Sequence, residues 1–141
     1  MNIYIARHGE TIWNKSRLLQ GSKDIELCDD GRAIAYERAK QIADVDFDIV
    51  YSSPLKRAYE TACILRGDRD IPIIKDDRLR EVNFGINEGK CSLELKKDKN
   101  SPIYKFFEDP GSHRKVESRY MMCAREPKSL WKKLLSHRKI S

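Results

Sequence analysis

Asn2-Ile3-Tyr4-Ile5-Ala6-Arg7-His8-Gly9-Glu10-Thr11 begins as a short run of strand formers and ends in polar loop residues. Residues 2–6 are expected to form a buried strand that runs into a loop at Arg7-His8-Gly9. Thr11 can cap a short helix through Asn14 and Arg17. Further along, Ile34, Ala35, Ala39, Ile42 and Ala43 recur near helical spacing, so residues 32–43 read as an amphipathic helix. Residues 47–51 form a second expected strand, closed by Ser52-Ser53-Pro54. Proline near a first turn is compatible with a helix, here over 55–65. A third short strand is expected at 71–74. Residues 77–89 are loop-like, and 93–107 are weakly helical with Pro102 as an interruption. This alternation of strand and helix predicts an α/β sandwich with a largely parallel sheet. In such sheets ligands sit at the carboxyl ends of the strands, where Arg7-His8-Gly9 and Ser52-Ser53-Pro54 fall.

The 141 residues, 40% of them hydrophobic, amount to one domain with a single core. No apolar run approaches the roughly 20 residues of a membrane span, and the N-terminus lacks the pattern of a secretory signal. Cys28, Cys63, Cys91 and Cys123 are widely spaced with no C-x-x-C pair, which signals neither a zinc site nor a disulfide framework. A soluble, cytoplasmic protein without membrane partner is expected. The net charge of +6 raises nucleic acid as a partner. Its distribution argues against that. Residues 111–141 hold nine Lys or Arg against two Glu, leaving 19 basic and 20 acidic groups in residues 1–110. The body is neutral and the tail alone is basic, without the interleaved aromatics of a nucleic-acid module.

A lone His or Arg is more often a surface or capping residue than a catalytic one. The combination shifts the balance. Arg7, Arg57 and Arg80 each follow a strand or open the segment after one, so they can converge at one sheet edge. Converging guanidinium groups clamp a phosphate dianion, and neutral His8 in that field can attack phosphorus. No metal cluster is evident, and no cofactor is expected.

Arg7-His8-Gly9-Glu10-Thr11, followed by Trp13-Asn14, resembles the signature of the histidine phosphatase superfamily, phosphoglycerate mutase-like branch. Further matches come in the family's order. They are Gln20-Gly21, Asp24, Leu27 and Gly31; Ser52-Ser53-Pro54-Leu55 with Arg57-Ala58 and Thr61-Ala62; and Leu79-Arg80-Glu81 with Phe84-Gly85 and Glu88-Gly89. The resemblance covers residues 1 to about 110. It implies a three-layer sandwich with a mostly parallel sheet, incomplete at the C-terminus. It also implies phosphomonoester hydrolysis through a phosphohistidine on a small phosphorylated metabolite, with mutase-type transfer or a catalytically degenerate phosphate binder as alternatives. His8 would be the nucleophile, Arg7, Asn14 and Arg57 would hold the phosphoryl group, and Glu81 would be the proton donor. Gly9, Glu10 and Thr11 would shape the loop. Asp24 and Glu88 read equally well as solvated loop carboxylates. The resemblance says nothing of oligomeric state.

The family's second histidine, at the end of an apolar strand and before Gly, has no match here. His113 and His137 follow no apolar strand and precede no Gly, so the role passes to neither. Residues 118–135 read as a helical stretch broken by Pro127. Permitted codons for residues 120–140, read two bases later, translate as Tyr-Asp-Val-Cys-Ala-Arg-Ala-Lys-Glu-Phe-Met-Glu-Glu-Val-Ile-Lys-Ser-Ser-Lys-Asn. That string is an amphipathic helix similar to the family helix before the second histidine. The expected organisation is therefore residues 1–110 as the N-terminal part of a histidine phosphatase domain and 111–141 as a basic tail, out of frame or divergent.

Overall fold

A computed structural model describes residues 2–104 and the backbone of the strand at 120–125. The chain order is β1 (Asn2–Arg7), α1 (Ile12–Lys15), α2 (Asp29–Gln41), β2 (Ile49–Ser52), α3 (Lys56–Arg66), β3 (Ile73–Lys75), α4 (Ser92–Lys97) and β4 (Tyr120–Arg125). Single 3-10 turns at Asp77–Leu79 and Gly85–Asn87 punctuate the expected loop. Residues 102–104 are helical after a break at 98–101, as Pro102 suggested. The remainder of the expected 93–107 helix, the 110/111 boundary, His113 and His137 lie outside the described residues.

The sheet order is β1-β4-β2-β3. Only β2 and β3 pair in parallel, Val50 opposite Ile73. β4 lies between β1 and β2 and is antiparallel to both, with Ile3 opposite Ala124 and Ile49 opposite Ala124's other edge. The expectation of a mostly parallel sheet thus holds for strand direction, since β1, β2 and β3 run the same way, and fails for pairing. The helical reading of 120–125 is also corrected: this segment is a strand, paired along both edges. Because β1 and β2 share a direction, their carboxyl ends open on the same sheet edge.

The core lies where α2 and α3 cover that sheet. Phe47, Val50, Ala62 and Leu65 are its buried centre, with Ala6, Ala39, Ile42 and Ile73 packed around them. Ile49, next to Val50 on β2 and so on the opposite face, is also buried at 2% exposure, so both faces of β2 are covered. β1 is not the buried strand expected. Ile3, Tyr4 and Ile5 are 42%, 42% and 59% exposed, because β1 is an outer strand of the four and the helices reach it chiefly at Ala6. Helix α2 carries Asp29 and Asp30 in its first turn and Arg38 and Lys40 in its last, complementing the helix dipole. Arg32 Nε of α2 donates to Glu60 of α3 at 2.5 Å, clamping the two helices.

Two glycines set the height at which the loop after β1 rides over α2. A methyl group on Gly9 would stand 2.7 Å from the Gly31 carbonyl oxygen, and one on Gly31 would collide with the backbone oxygen and nitrogen of Glu10. Gly31→Ala is expected to destabilise the protein by about 2–4 kcal/mol despite alanine's better helix propensity, because both obstacles are main chain. Urea denaturation of the two proteins measures the difference.

Candidate active site

The loop that begins where β1 ends carries His8. Its Nδ1–H donates to the Gly9 carbonyl at 2.7 Å. The Gly9 N–H donates to Thr61 Oγ1 at 3.0 Å, and that hydroxyl donates to the Arg57 carbonyl at 2.7 Å. Thr61 and Arg57 are one turn apart on α3, so a single buried hydroxyl ties the His8 loop to the helix that bears Arg57.

Thr11 caps α1 as expected. Its side chain accepts from the Asn14 N–H at 3.1 Å, and Asn14 Oδ1 returns the contact by accepting from the Thr11 N–H at 3.0 Å. The Thr11 hydroxyl also lies 2.9 Å from both Asn14 Oδ1 and Gln20 Oε1, and its one proton serves one of them at a time. With Asn14 Oδ1 held this way, its amide nitrogen is left to donate into the cavity.

Arg57 is 2% exposed. Its Nη1 donates to the Lys23 carbonyl at 2.6 Å and its Nη2 to the Gly21 carbonyl at 2.7 Å. Burial pushes its pKa below the ordinary value, and the nearby carboxylates of Glu81, Asp24 and Glu88 pull it back up. Arginine stays protonated through such shifts. The result is a fixed, desolvated cation aimed by two backbone carbonyls.

Two loop carboxylates act as fastenings, Asp24 while remaining exposed to solvent. Helix α3 has no side-chain cap of its own, and Asp24 supplies one by accepting from the Lys56 N–H at 2.7 Å, next to Arg57. Glu88 Oε1 accepts from the Ser22 N–H at 2.7 Å, the Ser22 hydroxyl at 3.0 Å and the Phe84 N–H at 3.0 Å. It thereby pins the Gln20-Gly21 loop to the loop that carries Glu81. Gly21, at φ +53°, leaves room for that carboxylate.

A cavity of about 160 Å³ gathers Arg7, His8, Asn14, Arg57 and Glu81. All five residues singled out from the sequence line it. Arg80 does not: its Nε donates to Asp77 at 2.7 Å and the side chain is 47% exposed, so a carboxylate three residues back has captured it. The structure adds Gln20, Phe84, Ser92 and Lys96 to the lining. Gln20 and Gly21 were visible in the sequence only as a family match, and Ser92 and Lys96 carried no signal. Among the described residues, no group of three or more His, Cys, Asp or Glu side chains is placed to hold a metal ion. A larger cavity of about 380 Å³ lies between β1, α2 and α3 against Tyr4, Ile5, Ile42 and Phe47, among others. It is mainly apolar and contains none of these groups apart from Arg7.

An imidazole, two guanidinium groups, an amide and a carboxyl group lining one small space are the group types that can supply a nucleophile, offset phosphoryl charge and transfer a proton.

The model described as the histidine phosphatase superfamily (branch 1) matches residues 3–139. A probable phosphoglycerate mutase of Erwinia tasmaniensis is 34% identical over 101 residues, covering 72% of this chain and 47% of that protein. Among solved structures, YhfR of Bacillus stearothermophilus superposes with a TM-score of 0.70 at 30% identity, covering 97% of this chain and 69% of the other. Phosphoserine phosphatase of Entamoeba histolytica, solved with 3-phosphoglyceric acid, gives a TM-score of 0.65 at 40% identity, covering 82% and 56%. The chain spans about half the length of the curated relatives it matches.

Proposed function

Because the chain belongs to the histidine phosphatase superfamily (branch 1), we propose that it hydrolyses a small phosphorylated metabolite through a phosphohistidine on His8. The observation that carries this reading is the convergence of His8, Arg7, Asn14, Arg57 and Glu81 on one cavity of about 160 Å³. Kinship with a phosphatase solved with a phosphorylated acid supports it.

In the first step His8 Nε2 attacks phosphorus, the N–P bond forms, and the bond to the leaving oxygen breaks. Arg7 and Arg57 offset the phosphoryl charge and Asn14 donates to one of its oxygens. Glu81 gives its proton to the leaving oxygen, a contribution of roughly 10²–10⁴-fold for general acid catalysis. In the second step the Glu81 carboxylate takes a proton from water as the water oxygen attacks phosphorus. The N–P bond breaks, phosphate departs, and His8 and Glu81 return to their starting protonation states.

The test is phosphohistidine trapping with a phosphorus-labelled phosphomonoester. Glu81→Gln is expected to accumulate acid-labile, base-stable label on His8, with hydrolysis slowed about 10²-fold or more relative to the unchanged protein. Label on no histidine in either protein, with phosphate still bound, leaves a phosphate binder without turnover. His8 as the only histidine among the described residues favours that second reading. Label passed to an added sugar acid rather than to water identifies mutase-type transfer.

Residues 111–141 we read as an out-of-frame or divergent segment on the body of a cytoplasmic enzyme. Their nine basic and two acidic groups, against a neutral body, support this. The nucleotide sequence from codon 105 onward tests it. Another frame running into an apolar strand that ends in His-Gly supports the out-of-frame origin, and its absence leaves a divergent tail.

A further inference from the structure

Arg57 is a buried cation whose direction is set by two backbone carbonyls, those of Gly21 and Lys23. Ser22 lies between them in sequence, and Glu88 grips it twice. Glu88 Oε1 accepts from the Ser22 N–H at 2.7 Å and from the Ser22 hydroxyl at 3.0 Å. The Ser22 N–H and the Gly21 carbonyl belong to one trans peptide unit and point in opposite directions. That single peptide is therefore held between two charged groups. The Glu88 carboxylate takes its N–H, and the Arg57 guanidinium donates to its oxygen at 2.7 Å. Each bond polarises the peptide in the sense that strengthens the other, and Arg57 is 2% exposed, where such coupling counts most.

Glu88 is itself firmly placed. Its backbone N–H donates to the Gly85 carbonyl at 3.1 Å, and its Oε1 also takes the Phe84 N–H at 3.0 Å. The Gly89 N–H donates to Leu19 at 2.8 Å and the Leu19 N–H to Lys90 at 2.9 Å, which seats residues 88–90 against the start of the Gln20-Gly21 loop. A side chain on Gly21 would collide with Glu88 Oε1, the Phe84 ring and the Val82 carbonyl, so the close approach needs glycine. Three carboxylates favour the Arg57 cation by their charge: Glu81, Asp24 and Glu88. Glu81 lines the cavity, and Asp24 is exposed and caps α3. Glu88 is not among the residues lining the cavity, and its path to Arg57 runs through the Gly21–Ser22 peptide.

We propose that Glu88 is a positioning residue for phosphate binding, and that it sets the orientation of Arg57 through the Gly21–Ser22 peptide. This rests on the reading in which Arg57 holds the phosphoryl group. Without Glu88 the two carbonyls lose their fixed places, and an arriving anion has to order the guanidinium at the expense of affinity.

Titration of the full chain with inorganic phosphate, followed by phosphorus NMR, tests this as a double-mutant cycle. Glu88→Ala is expected to weaken phosphate binding about tenfold. Arg57→Lys keeps a cation but cannot be forked between two carbonyls, and in that background Glu88→Ala is expected to cost less than about twofold. In an Arg7→Met background the loss of about tenfold persists. Glu88→Gln keeps an acceptor oxygen and removes the charge, so a loss of about threefold is expected, with the same dependence on Arg57. It decides the matter if the alanine variant does not fold. Losses of equal size in the Arg57→Lys and Arg7→Met backgrounds show a loop fastening without a path to Arg57 and overturn the proposal, as does unchanged affinity in both Glu88 variants. Failure of the unchanged protein to bind phosphate overturns the reading of the site itself, and this inference with it.

Discussion

His8→Ala is expected to abolish covalent labelling by a phosphomonoester and to lower turnover by on the order of 10⁴-fold or more. The change removes the candidate nucleophile. The His8 ring is half-buried, and its Nδ1–H donates to the neighbouring Gly9 carbonyl. The contacts that shape the loop belong to the backbone: Gly9 N–H to Thr61, and Glu10 carbonyl to the Cys28 N–H at 3.0 Å. Phosphate affinity is therefore expected to stay within a few-fold, measured by titration alongside the labelling. A variant that still takes up label refutes His8 as the nucleophile.

Arg57→Met is expected to weaken phosphate binding by about 10²-fold or more, and to lower any turnover by a comparable factor. The reason is where the charge sits. Arg7 is exposed, and water screens its attraction for an anion. Arg57 is desolvated and held by the Lys23 and Gly21 carbonyls, so its field reaches the ligand at low dielectric. Methionine keeps much of the bulk but leaves both carbonyls without their donors, so the variant also loses stability, by about 1–3 kcal/mol for each acceptor that stays buried. Phosphate titration and urea denaturation separate the two losses. Arg7→Met serves as the comparison and is expected to show the smaller binding defect with the fold unperturbed.

The helices and the site were legible for different reasons. Helices α2 and α3 announce themselves through local periodicity and turn chemistry, and the observed ends at 29–41 and 56–66 differ from expectation by one to three residues. The five candidate residues stand out because they fall at a strand end (Arg7), in loops (His8, Glu81) or in the helices that follow strands (Asn14, Arg57), and because their order matches a family. Partners distant in sequence were not. Asp24 and Glu88 look like any loop carboxylate until the fold brings Lys56 and Ser22 to them. Arg80 failed in the opposite direction, since a local carboxylate claimed it before any long-range geometry could. For β1, composition indicated a strand, while burial depended on which elements lie beside it. For 120–125, neither propensity nor pattern outweighs the pairing that two flanking strands impose.

β4 also sets a timetable. β1 and β2 do not touch as neighbours; each pairs with β4, and Asn2 finds its partner only at Arg125. During synthesis the His8 loop and the Arg57 helix emerge early, yet the sheet that spaces them stays open until residues 120–125 have left the ribosome. Pairing across such a span closes late and slowly, after the helices have formed. Until then the apolar edge of β1 is presented to every other nascent chain nearby, and yield in the cell depends on how quickly β4 arrives.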